Sequence, residues 1–148
     1  MLALFLVFAL ARAPFPAAPP SPNWSAWPAL GTITTPFGPT HSGIDIGILR
    51  SLAVRAAQPG TVIAVGQPRA YEGYGNVVEI ADGHGFTSLY AHLAGWRVRA
   101  GEHVRRGQRL GTAGCTGWCT GTHLHFEMRL RGRPVNPLGF RRAALRVD

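Results

Sequence analysis

The sequence predicts an all-β single domain, mainly an antiparallel β-sandwich or barrel-like fold built from hairpin repeats. Three observations carry the prediction. Nineteen glycines and twelve prolines in 148 residues favour turns over helices, because glycine reaches left-handed backbone angles and proline lacks an amide donor. No stretch of ordinary helical length repeats its apolar residues with a 3.6-residue period, whereas short alternating segments recur along the chain. A length of 148 residues supports one hydrophobic core and is too short for two ordinary domains.

The chain opens on an apolar run, Leu2 to Leu10, followed by Ala11-Arg12-Ala13. A bilayer-crossing helix needs about 20 apolar residues, so this shorter run suits the h-region of a secretory signal ending in an A-x-A cleavage site. Residues 1–13 are read as a signal peptide or a short uncleaved anchor, and the protein as exported to the periplasm, the cell envelope or the medium. The n-region carries only the terminal amine and Pro14 follows the proposed cut, which keeps the anchor reading open. Residues 14–29 form a proline-rich linker, with six prolines from Pro14 to Pro28 that deny a strand ladder its donors. Trp24 and Trp27 are the residues able to dock it.

Residues 30–140 hold the expected domain and residues 141–148 a C-terminal tail. Strands are expected over 32–37, 53–57, 61–65, 76–80, 86–91, 97–100, 108–112 and 123–129. Turn signals separate them: Pro59-Gly60, Gly73 to Asn76, Asp82-Gly83 and Gly114 to Gly121. "VRAAQPGTVIAVG" at 54–66 and "VRAGEHVRRGQRLG" at 98–111 echo each other as strand, turn and strand, which suits paired hairpin units.

The formal net charge of +8 rests on 15 arginines and no lysine. Such a surface attracts polyanions at long range. A nucleic-acid reading needs clustered basic residues on a recognition helix or an aromatic stacking platform, and the arginines are instead scattered, so nucleic acid is excluded as the partner. A solvated basic surface, or one drawn to an anionic matrix such as a bacterial wall, remains. A monomer is expected, with transient membrane association through the apolar N-terminus.

The chemistry concentrates in three motifs. In "GTHLHFEMRL", alternation puts His123, His125, Glu127 and Arg129 on one strand face and Leu124, Phe126, Met128 and Leu130 on the other. Two imidazoles with Cβ atoms roughly 6 to 7 Å apart can serve one metal ion plus one catalytic group, or can simply line a polar face. "HSGIDIG" sets His41 and Asp45 four residues apart on a loop running into a strand. "YAHL" carries His92 at the end of an apolar strand, with Tyr90 either lining a groove or, more in keeping with its neighbours, packing in the core. His84 and His103 read as turn histidines without a role. Two histidines and an aspartate match the donors of a catalytic zinc site that keeps one position open.

Taken together and in this order, H-x-x-x-D, Y-A-H-L and H-L-H-F-E resemble the lysostaphin-type zinc metallopeptidases of family M23, which hydrolyse peptide bonds in bacterial peptidoglycan. The resemblance spans roughly residues 30–138, including "YGN" at 74–76 and the glycine-framed run at 101–111. It implies a fold of duplicated hybrid-motif type. It further implies that His41, Asp45 and His125 bind one zinc ion, and that His92 and His123 face the attacking water or the substrate carbonyl as general base and oxyanion stabiliser. Peptidoglycan peptides are then the substrate. The alternatives are a non-catalytic wall-binding or hydrolase-activating domain on this fold, and a histidine phosphocarrier of related architecture, which an exported protein disfavours. Glu127 would orient His125 or pair with Arg129 or Arg131 in solvent.

Two departures from the family pattern concern the groove. Only Pro39 and Thr40 separate the "FG" turn from His41, which predicts a low first wall, and "GILRSLAVRAA" replaces the proline- and glycine-containing link common after the aspartate. Cys115 and Cys119 flank Thr116-Gly117-Trp118, and an oxidising compartment favours a disulfide between them over free thiols or metal ligation.

Overall fold

The structure is a computed structural model that describes residues 26–140. The proposed signal or anchor, Trp24 with most of the proline-rich linker, and the 141–148 tail lie outside the described residues. Eleven strands form: β1 Thr32–Thr35, β2 Ile44–Gly47, β3 Ala53–Arg55, β4 Gly60–Gly66, β5 Val77–Ala81, β6 Phe86–Ala91, β7 Leu93–Trp96, β8 His103–Val104, β9 Arg109–Ala113, β10 Leu124–Leu130 and β11 Arg133–Val135. Among the described residues there is no α-helix, only short 3₁₀ turns at Arg69–Tyr71 and Pro137–Phe140. The all-β prediction holds.

The strands build two antiparallel sheets. The larger runs β1-β2-β10-β6-β5-β4-β8, with β11 also on β10, and the smaller runs β3-β9-β7. Alternation decides what each sheet buries. Leu124, Phe126 and Met128 of β10, Tyr90 of β6, Val78 and Ile80 of β5 and Ile44 and Ile46 of β2 turn inward onto Val54, Leu93 and Leu110 of the smaller sheet. Tyr90 belongs to this core, as its apolar strand predicts, and its buried hydroxyl accepts from the Ala57 amide at 2.8 Å and the Ser88 hydroxyl at 3.2 Å. Trp27 packs against the same core and Ala29 is buried, so the last linker residues are already part of the folded unit.

The sequence echo has a structural meaning. The β3-to-β4 and β8-to-β9 segments pair reciprocally, β3 with β9 and β4 with β8. Neither segment satisfies its own edge. One expected strand is misplaced: residues 97–100 form no strand, and β7 lies just before them at Leu93–Trp96. Val98 is buried as its alternation suggested, but Gly101 at φ 85° turns the chain and Glu102 closes it, its amide donating to the Arg99 carbonyl. β2 is the strand expected after the "HSGIDIG" loop, whereas β8 and β11 are too short to leave an alternating run in the sequence. His103, without a proposed role, lies in β8 and bonds Thr61 Oγ1 at 2.9 Å.

Candidate metal centre

The outer face of the larger sheet carries the site. Register sets Asp45 of β2 directly opposite His125 of β10, and His125 opposite Ala91 of β6. His41 reaches the same point from the loop before β2, where Gly38 and His41 exchange backbone hydrogen bonds around Pro39-Thr40. That tight turn is how the short "FGPTH" spacing is accommodated. The close pairing of the loop with β10 requires Gly43, since a Cβ there would collide with the Phe126 carbonyl and the Glu127 side chain.

His41 Nε2 and Asp45 Oδ1 are 3.2 Å apart, His125 Nδ1 and Asp45 Oδ1 2.8 Å, and His41 Nε2 and His125 Nδ1 3.2 Å. Bonds of about 2.0 to 2.2 Å to a tetrahedral zinc ion correspond to ligand separations of about 3.3 to 3.6 Å, so the triangle is slightly tighter than a bound ion would set it. The outer nitrogens determine the tautomers. His41 Nδ1 donates to the Pro36 carbonyl at 2.9 Å and His125 Nε2 donates to Glu127 Oε1 at 3.0 Å. With both rings neutral, the nitrogens facing Asp45 have lone pairs and three acceptors converge on one point, an arrangement that suits a cation; without one, a proton on His125 Nδ1 takes that place. The donor set of two imidazoles and one carboxylate fits zinc with a side left open.

Glu127 is fully buried, which corrects the reading of it as a solvent-facing salt partner. An ionised carboxylate there needs complete hydrogen bonding, and it has it. Oε1 accepts from Ser42 Oγ at 2.5 Å, Tyr74 Oη at 2.7 Å and His125 Nε2, while Oε2 accepts from Arg129 Nε and Nη2, each at 2.6 Å. Burial pushes the Glu127 pKa up, but these donors and the Arg129 charge outweigh it and hold it at about 2. Burial likewise opposes charging of His125, yet carboxylates on both its nitrogens raise its pKa to about 9 in the metal-free protein. Asp45 is brought down to about 2, hydrogen bonds from His125 and Thr35 overcoming its burial.

Opposite the triangle, His92 and His123 lie with ring centroids 4.7 Å apart. Each gives its Nδ1 proton to a backbone carbonyl, His92 to Thr116 and His123 to Gly121, both at 2.8 Å. Each Nε2 is left for the groove, that of His123 lying 3.7 Å from Asp45 Oδ1. Burial lowers the His92 pKa, which favours the neutral ring. Strand alternation alone would put His92 on the same face as Tyr90, two residues before it, but His92 has φ 59°, a left-handed kink that swings its ring out to the site while Tyr90 stays in the core. Such backbone angles in a non-glycine residue concentrate at functional sites.

The structure thus brings His41, Asp45, His92, His123 and His125 to one groove of about 700 Å³. Sequence reasoning gave no role to several of its neighbours. Tyr74 faces the groove and holds Glu127, and Thr116 joins the Asn76 amide and the Leu93 carbonyl through its hydroxyl, at 3.0 and 2.9 Å. Cys115 and Cys119 are disulfide-bonded, closing the loop that carries Thr116 and the exposed Trp118. The glycines of "GYGN" and "TGW" were the available signal. A Cβ on Gly75, at φ 62°, would strike the Thr116 backbone, so the two loops can meet only through glycine.

Fold and site together define a β-sheet domain with a zinc-type His/Asp/His centre flanked by two further imidazoles. The chain belongs to peptidase family M23, whose model matches residues 39–137. It is 37% identical over 124 residues to the murein hydrolase activator NlpD of Escherichia coli, covering 82% of this chain and 32% of that protein. It is 42% identical over 98 residues to the DD-carboxypeptidase/endopeptidase Mpg of Neisseria meningitidis, covering 66% of this chain and 22% of that one. The crystal structure of a zinc containing peptidase from Vibrio cholerae superposes with a TM-score of 0.68 at 32% identity, covering 80% of this chain and 39% of the other. This chain spans a third or less of the length of the two curated relatives.

Proposed function

We propose that the domain is a zinc-dependent endopeptidase that hydrolyses peptide bonds in bacterial peptidoglycan, acting as an exported monomer. The observation that carries this reading is the pairing of the His41, Asp45 and His125 acceptor triangle with two imidazoles on the same groove, each held through Nδ1, with His123 Nε2 3.7 Å from Asp45 Oδ1. A bound zinc ion would polarise the scissile carbonyl and acidify water. His92, neutral and fixed in its tautomer by the Thr116 carbonyl, accepts the proton of the attacking water at Nε2. His123, fixed in the same way by Gly121, donates toward the developing oxyanion when protonated. One of the pair returns a proton to the departing amine, without which the C–N bond would not break.

The wall substrate and export are supported by the name of the murein hydrolase activator and by the endopeptidase relative. A second reading, an activator of other wall hydrolases, is favoured by the 37% identity to NlpD over most of this chain. Incubating the zinc-loaded protein with purified peptidoglycan and analysing the soluble fraction by mass spectrometry separates them. The endopeptidase releases peptides by itself. An activator releases none, yet accelerates lysis by a second wall hydrolase.

A further inference from the structure

The link after the metal-site aspartate, residues 47–57, is where the sequence leaves the family pattern, and the metal centre makes no use of it. Ile48 stands at its start with φ 47°, a left-handed angle that L-residues avoid and that is a genuine outlier for a β-branched side chain. Its side chain is also 76% exposed. Glycine or asparagine would relieve the backbone and remove the apolar exposure together, so the residue carries two local costs with little burial in return. Leu30 is 59% and Leu52 48% exposed beside it, for the Arg50 amide bonds the Leu30 carbonyl at 2.8 Å and the Arg55 amide bonds the Pro28 carbonyl at 2.9 Å. Residues 28–30 therefore run along the link and complete one mixed patch.

The charge of this patch is of one sign. Arg50 and Arg55 are exposed, and exposed Arg109 sits opposite Arg55 in the smaller sheet. No acidic residue occurs between Asp45 and Glu72, nor anywhere before Asp45. The chain also enters the fold here, through Trp27 to Leu30, and the 25 residues that precede the described part include the apolar run Leu2 to Leu10. Three aliphatic side chains fall far short of the roughly 800 Å² per partner of a stable protein interface. They suit a lipid interface, where a single apolar anchor binds only marginally and a basic patch supplies the second signal.

We propose that this face docks on an anionic lipid surface, with Leu30, Ile48 and Leu52 entering the headgroup layer while Arg50, Arg55 and Arg109 meet the phosphates. The inference is independent of the peptidase reading, since it uses none of the metal-site residues. Each arginine near such a surface strengthens binding by about fivefold. The domain would thus be held close to an anionic membrane surface.

The full-length chain tests this by co-sedimentation with vesicles of phosphatidylcholine alone and of phosphatidylcholine with 30% phosphatidylglycerol. The wild type should prefer the anionic vesicles. R50Q/R55Q should weaken that binding at least tenfold and I48N severalfold, with neither changed on pure phosphatidylcholine. R133Q, an exposed arginine elsewhere, should lose less than twofold. Ile48→Asn keeps a side chain that tolerates the left-handed angle, and an unchanged melting temperature shows that lost binding is not lost folding. The proposal is overturned if the patch variants bind anionic vesicles as the wild type does, which leaves membrane contact to the N-terminal segment alone. It is equally overturned if the wild type shows no anionic preference, or if the variants instead abolish a dimer seen by sedimentation velocity without lipid, which assigns the face to a second copy.

Discussion

The two sides of the groove are built on different supports. His125 and Asp45 stand on paired strands, and a carboxylate buried beneath them holds His125 through its outer nitrogen. His92 and His123 stand at strand ends and are held by single hydrogen bonds to carbonyls of the loop over residues 114–121. The metal side is thus locked by the sheet and by charge, while the proton-handling side is locked by a loop that a disulfide closes. Positions on strands are held more tightly than positions on loops, so damage to the two sides should look different.

The largest contrast comes from removing the groups themselves. His125→Ala or Asp45→Ala should abolish stoichiometric zinc, measured by elemental analysis, and reduce peptide release to background. His92→Ala or His123→Ala should cut the rate by about 10² to 10⁴ with zinc content unchanged. Full activity of His92→Ala would dismantle the division between the two sides.

A smaller effect probes the buried support. Glu127→Gln should weaken zinc binding by about 10- to 100-fold in a chelator competition, and it should lower the melting temperature because Arg129 loses its carboxylate. Thr116→Val, on the loop side, should spare zinc affinity. If both substitutions changed zinc affinity alike, the two supports would not be separable.

Protonation sharpens the same point. With His125 raised to about 9 in the metal-free protein, Nδ1 holds a proton at pH 7 where an ion would sit. Zinc uptake at pH 7 should release close to one proton, read from calorimetry in buffers of different ionisation heat, and the release should vanish above pH 9. The sign for stability follows from a raised folded-state pKa: His125 stabilises the metal-free fold fully below about 6.5, and that contribution is lost as pH rises through 9. Alkaline pH should therefore lower the melting temperature of the metal-free protein more than that of the zinc-bound one. The smallest expected effect is on the loop side. Reduction of Cys115–Cys119 should slow peptide release severalfold and leave bound zinc in place.

How much was legible depended on how local each feature is. The His123 and His125 pair could be read because strand alternation acts over two residues, and the all-β class because glycine and proline act on their own backbone. Glu127 could not be assigned from sequence, because burial and four partner residues, Ser42, Tyr74, His125 and Arg129, decide whether a carboxylate is a surface charge or a support. His92 escaped the alternation rule because a single left-handed residue breaks it. The strand expected at 97–100 failed for a similar reason, the turn at Gly101 overriding a sound alternating pattern.

By itself, then, the sequence determined the fold class, the family resemblance and the five histidine and aspartate candidates His41, Asp45, His92, His123 and His125, since these rest on residue type and short-range spacing. Only the tertiary structure decided which nitrogen of each histidine faces the site, that Glu127 lies beneath His125, and that Ile48 is forced into solvent. Each of these depends on groups distant in sequence meeting at hydrogen-bond distance or failing to meet, as His41 and His125 do across 84 positions. Chain closure and sheet register set those meetings, and no local pattern encodes them.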